Sequence, residues 1–118
     1  MSAPVTTNTA TIAAGAALSQ AMYLGHGVLV GIQMPAAWDA ANLSFQASAD
    51  GITYQDVYDF QGAEVVVQAA AARFVTIDEF QGAPWIKVRS GTTGSHVNQT
   101  LDSALILIVQ KLPMVMGG

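Results

Sequence analysis

The sequence predicts an all-β protein, an antiparallel β-sandwich of about eight short strands, on three observations. Apolar and polar residues alternate at period two in several runs, most cleanly Leu43-Ser44-Phe45-Gln46-Ala47-Ser48 and Trp85-Ile86-Lys87-Val88-Arg89-Ser90, the spacing of half-buried strands. Turn residues, chiefly Gly, Asp and Pro, punctuate the chain at intervals of roughly 8–12 residues, as in sandwiches and barrels. No long stretch carries apolar residues at helical spacing.

The chain is organised around Met34 to Asp59. Pro35 stops a strand, and Trp38 sits at the following corner as a core anchor. The alternating run with Phe45 then meets Asp50-Gly51 and returns through Ile52-Thr53-Tyr54-Gln55. An Asp-Gly pair between two such runs predicts a hairpin, because Gly accepts the positive φ of a tight turn. Trp38, Phe45, Asp50, Gly51 and Tyr54 are therefore read as structural residues of the corner and hairpin.

Taken in order, residues 1–8 read as an extended N-terminal arm, residues 9–112 as the sandwich domain and residues 113–118 as a C-terminal tail. Thr9 to Ile12 is the first strand. Leu18 to Leu24 is a second strand or a short helix, its Ala and Met content suiting either. Gly25-His26-Gly27 is a turn. Val28, Val30, Ile32 and Met34 then alternate with their neighbours and are expected on one buried face. Glu64 to Gln68 is β-branched and strand-like. Arg73 to Ile77 is the next strand, with Val75 and Ile77 on one face, and Asp78 to Pro84 a loop. In Trp85 to Ser90, Ile86 and Val88 point one way and Trp85, Lys87 and Arg89 the other. The last strand runs from about Asn98 to Leu112. Its Leu105-Ile106-Leu107-Ile108-Val109 core, apolar on both faces, predicts a strand central in the sandwich or covered by a neighbour.

At 118 residues the chain is one domain that can build a core without staples. Only 10% of residues are charged while 52% are hydrophobic, and such a surface suits a protein covered by copies of itself or by another protein. With four Lys and Arg and a net charge of −4, nucleic acid is not an expected partner, since phosphate binding needs clustered cations. The absence of Cys removes disulfides, thiolate metal sites and Cys nucleophiles together. The N-terminus has no basic region or continuous apolar core, so no secretory signal is expected. Ala104 to Val109 is too short to span a bilayer, and no membrane association is expected.

No cofactor or catalytic motif is present. Ser95, His96 and Asp102 are common residues in nearby loops, a weak basis for a triad. Asp50, Asp56 and Asp59 are oxygen donors of the kind Ca²⁺ takes, without the spacing of a calcium loop. The informative surface is Trp85, Lys87 and Arg89, with half of all basic residues beside an indole. Trp and Arg are enriched where interfaces bury most tightly, and an aromatic with polar neighbours also suits carbohydrate. These three residues are either a face for a partner or a glycan, or a Trp85 folded over the sheet edge beside two solvated cations.

The order Pro35, Trp38, Phe45, Ser48, Asp50, Gly51 and Tyr54, followed by Trp85-Ile86-Lys87-Val88-Arg89-Ser90-Gly91 and a long apolar strand, resembles the galactose-binding-like jelly roll of discoidin-type domains. The chain lacks the paired Cys that often close those domains. More narrowly, it resembles small virion structural proteins of tailed bacteriophages and gene transfer agents. That resemblance implies a non-enzymatic capsid decoration protein or head-fibre base, made in the host cytoplasm and located in the virion. Its partners would be copies of itself, the major capsid protein or other virion proteins, held by arm and tail. A module that recognises host-surface carbohydrate, placed on the tail, is the alternative.

Overall fold

A computed structural model describes residues 5–25, 27–80 and 83–111, with 78–80 by backbone alone. Eight strands form in the order β1 (Val5–Ile12), β2 (Met22–Tyr23), β3 (Gly27–Gln33), β4 (Leu43–Ser48), β5 (Gln55–Asp56), β6 (Phe74–Phe80), β7 (Trp85–Ser90) and β8 (Ser103–Lys111). All pairings are antiparallel. β1 pairs with β8, β2 with β7, β3 with β6 and β4 with β5, as in one long ribbon folded upon itself. β3 also pairs with β8, and β4 with β7. These cross-pairings divide the ribbon into two four-stranded sheets, β1-β8-β3-β6 and β2-β7-β4-β5. That connectivity is the eight-stranded jelly roll, two interlocked Greek keys.

The alternation read from the sequence explains the core. Leu43 and Phe45 of β4 and Ile86 and Val88 of β7 are fully buried, and so are Ala10, Ile12, Ile32, Leu105 and Leu107 of the facing sheet. The apolar run of β8 sits between β1 and β3. Leu105, Leu107 and Val109 point inward, while Ile106 and Ile108 lie on the outer face.

Several expectations are corrected. The loop expected at Asp78 to Pro84 starts later, because β6 runs on to Phe80. The N-terminal arm is shorter than residues 1–8, because Val5 to Asn8 pair with Gln110 to Leu107; residues 1–4 lie outside the described residues, as do His26, Leu112 and the tail at 113–118. The period in β3 is broken by a bulge between Leu29 and Gly31, which inserts Val30 and reverses the side-chain alternation. Leu29 and Ile32 are consequently buried, and Val28 and Val30 face outward, half-buried. Leu18 to Leu24 holds no helix, only a bridge from Leu18 to Arg89 and the short β2. Glu64 to Gln68 makes single bridges, Tyr58 to Glu64 and Leu43 to Val67, in place of a strand. There the chain crosses from one sheet to the other, with Val65 buried against the core.

The corner and hairpin form as expected, with a longer turn. β4 and β5 pair through Gln46 with Asp56 and Ala47 with Gln55, so the return strand starts at Gln55 and not Ile52. Ser48 Oγ accepts the Asp50 and Gly51 amides and donates to Asp50 Oδ1. Asp50 Oδ1 in turn accepts the amides of Ile52 and Thr53 at 2.8 and 3.0 Å. These last two amides, with the Ser48 hydroxyl, lower the Asp50 carboxyl to a pKa of about 2, because each donor favours the charged form. Trp38 donates from Nε1 to the Ala41 carbonyl at 3.1 Å and packs half-buried on the core.

Candidate functional site

β7 lies between β2 and β4, and its odd-numbered side chains stand on the outer face of the second sheet. The register places Trp85 beside Tyr23 and Ser48, Lys87 beside Gln46, and Arg89 beside Ser44. Trp85, Lys87 and Arg89 therefore share one face, as the alternation predicts. Their surroundings decide what each can do.

Arg89 is a buried node. Its Nη2 donates to Asp56 Oδ1 in an ion pair, and Nη1 lies 3.6 Å from Glu64 Oε2. Nη1 also donates to Ser44 Oγ at 3.1 Å and Thr93 Oγ1 at 3.0 Å. Thr93 donates its own amide and hydroxyl to Glu64, and Ser44 donates to the Gly91 carbonyl at 2.7 Å. The Arg89 hydrogen bond and charge hold the Asp56 carboxyl below the usual carboxylate range, against the opposing effect of burial. A guanidinium so enclosed ties β4, β5, the Glu64 segment and the Thr93 loop together. Little of it remains for an outside partner.

Lys87 places its ammonium 4.3 Å from the centre of the Tyr54 ring, within cation–π range. The Tyr54 hydroxyl is buried and has no hydrogen-bond partner among the described residues. The Trp85 indole meets the Tyr23 ring at 4.6 Å between centroids, tilted by 46°. It also packs on Gly51, where a Cβ would come within 2.8 Å of Cε2. Gly51 has φ +79°, so both the turn and this close approach require glycine. Half-buried and in contact with Tyr23 and Gly51, the indole anchors the hairpin.

The other candidates are dispersed. Asp102 Oδ1 accepts the Ala14 amide at 2.8 Å, and His96 is exposed in a loop bridged to Gly91. Asp59 Oδ1 accepts the Gln61 and Ala63 amides, so Asp50, Asp56 and Asp59 each serve a separate local structure. Among the described residues no group of three His, Asp or Glu side chains is placed to hold a metal ion.

Two features were not legible in the sequence. The buried Gln99 bonds Asp39 through both backbone groups and reaches Ser90 Oγ at 2.9 Å, pinning the Trp38 corner to the loop before β8. The second is the outer face of the first sheet. Thr7, Thr9 and Thr11 of β1 stand beside Ile108, Ile106 and Ala104 of β8. Next come Val28, Val30 and Gly31 of β3, and Phe74 of β6, whose ring covers Gly31. No charged side chain is among those described on the sheet's central rows. The chain matches no family model, and no curated protein or solved structure is significantly similar to it.

Proposed function

We propose that this chain is a non-enzymatic structural protein of a tailed-phage type of virion, a capsid decoration protein or head-fibre base that attaches through protein–protein contacts. The observation that carries the reading is the outer face of the β1-β8-β3-β6 sheet, where no charged side chain stands among those described; β6 continues through Asp78 and Glu79, whose side chains lie outside the described ones. Four strands about 4.8 Å apart, each contributing about six residues of about 3.3 Å, give the face a footprint of about 400 Å². The apolar share of that face is smaller, because Thr7, Thr9, Thr11 and Thr76 also stand on it; the largest contiguous apolar patch on a monomer is often functional. Ile106, Ile108, Val28, Val30 and Phe74 supply the apolar area and Thr side chains border it. Jelly rolls build viral capsid domains as well as lectins, so the architecture suits this use, although fold alone does not assign function. Many weak contacts on one particle would give firm attachment through avidity. The carbohydrate alternative loses its best support, because Trp85 is packed by Tyr23 and Gly51.

The test is co-sedimentation of the purified protein with particles that lack it. Saturation at a fixed ratio to the shell protein is expected. Absence of binding, together with saturable binding of a free sugar that Trp85→Ala abolishes, would favour the carbohydrate reading instead.

A further inference from the structure

β1 is an edge strand of eight residues, paired in unbroken register with β8 on one side. Natural edge strands are guarded against pairing by Lys, Pro, inward charges or bulges. The sequence Val-Thr-Thr-Asn-Thr-Ala-Thr-Ile of β1 contains none of these. What it has is a local stopper. The Gln20 side chain accepts the Thr11 amide at 3.0 Å and donates to the Thr9 carbonyl at 3.1 Å. Its carboxamide thereby takes the place of a neighbouring strand at one end of the edge.

Those two bonds also fix the direction of the remaining groups. In an antiparallel ladder, alternate residues turn both N–H and C=O toward the same side. Thr9 and Thr11 turn theirs away from β8, so Val5 and Thr7 do as well. Beyond the reach of Gln20, Val5 and Thr7 are the rungs of β1 left open among the described residues.

We propose that two copies of this chain join β1 to β1 antiparallel about a two-fold axis at Thr6. In this register Val5 of each copy lies opposite Thr7 of the other, and four N–H···O=C bonds form with no use of Thr9. A slip toward Gln20 sets Val5 against Thr9, whose carbonyl is already occupied, and a slip the other way sets Thr7 against position 3, outside the described residues. A second copy is the occupant that the edge fits, because an identical strand covers both β1 edges at once by symmetry, with β6 left at each end of the joined sheet. The chain carries a net −4 charge, and β1 brings none of it to the contact. The joined sheet has eight strands, and its outer faces run together into one surface. The inference adds a second copy of the chain to the protein–protein contacts of the proposed function and rests on that reading.

Because the chain contains no Cys, a single introduced Cys reports the register. Thr6 is exposed, and on the axis it forms a non-hydrogen-bonded cross-strand pair with Cβ atoms about 4.5–5.5 Å apart. Thr6→Cys is expected to give a disulfide dimer under mild oxidation, in at least about tenfold greater yield than Asn8→Cys, which this register places too far from its own copy. Thr7→Pro removes an outward N–H and no bond to β8, a place where a strand accepts proline. It is expected to sediment as a folded monomer at concentrations of about 1–100 µM, where the parent chain dimerises. If Thr7→Pro disturbs the β-sheet circular dichroism, Thr7→Lys repeats the test as an edge guard.

Equal cross-linking of Thr6→Cys and Asn8→Cys, or a parent chain that remains monomeric, would overturn the inference. A cross-linked dimer that does not bind particles overturns the virion reading and leaves the β1 pairing standing. Undiminished particle binding by a Thr7→Pro chain that still sediments as a dimer does the reverse.

Discussion

Replacing Arg89 with Ala is the sharpest single perturbation of this fold. It leaves Asp56 and Glu64 without a counter-charge and strips Ser44 and Thr93 of a donor. Removing one partner of a buried ion pair costs about 3–5 kcal/mol. The Asp56 and Glu64 side chains keep 29% and 19% exposure, so solvent recovers part of this, and about 2–3 kcal/mol is expected. At about 2.1 cal/mol/K per residue, 118 residues give an unfolding entropy of about 250 cal/mol/K, and the melting temperature should fall by about 8–12 °C. Urea unfolding followed by Trp38 and Trp85 fluorescence measures the free energy directly. The pH dependence supplies a second check. Asp56 has a folded pKa below its unfolded one, so the ion pair's contribution is complete above the ordinary carboxylate range and disappears as pH falls through the folded value. The gap between parent and Arg89→Ala should therefore narrow on acidification. Arg89→Lys, which keeps the charge and loses the planar fork, should fall between the two. A loss below about 0.5 kcal/mol for Arg89→Ala, typical of an unremarkable surface change, would refute the node and return Arg89 to the set of free contact residues.

Four further outcomes are expected. Tyr54→Phe should be neutral or stabilising by up to about 1 kcal/mol in the same urea assay, because the hydroxyl it removes is buried without a partner; a clear loss would contradict this. Gly51→Ala should cost about 1–3 kcal/mol and shift the Trp85 emission, since the new methyl meets the indole at a positive φ. The Asp50 carboxyl should titrate by NMR at about 2, its support of the turn being present above the ordinary carboxylate range and lost as pH falls through that value. A midpoint near 4, the unperturbed range, would mean that the turn hydrogen bonds do not form in solution. Phe45→Ala should cost about 3–5 kcal/mol as a cavity in the centre of the core.

What the sequence reveals depends on whether a strand's burial comes from its own period or from distant partners. β4 and β7 are flanked by neighbours and face one core, so Phe45, Ile86 and Val88 announce themselves by alternation. β1 is obscured because its outer face is Thr and its first inward residues are polar, leaving Ala10 and Ile12 as the visible core positions. β3 misleads because a single bulge at Val30 reverses its pattern, and nothing local in Gly-Val-Leu-Val-Gly marks the inserted residue. The face of Trp85, Lys87 and Arg89 is legible as a face. The fate of Arg89 is not, because its carboxylate partners Asp56 and Glu64 come from other elements of the folded ribbon. The Gln20 contact with β1 is hidden for a related reason, since a glutamine in a loop carries no sign that it will cover a strand edge.

The most direct test of the central claim is the copy number of the protein on purified particles, measured after washing in low salt and again in about 1 M salt, where the Debye length falls to about 3 Å. Attachment through the apolar and Thr side chains of this sheet face predicts a fixed ratio to the shell protein that survives the high-salt wash. Absence from the particles, or release by salt, would contradict it.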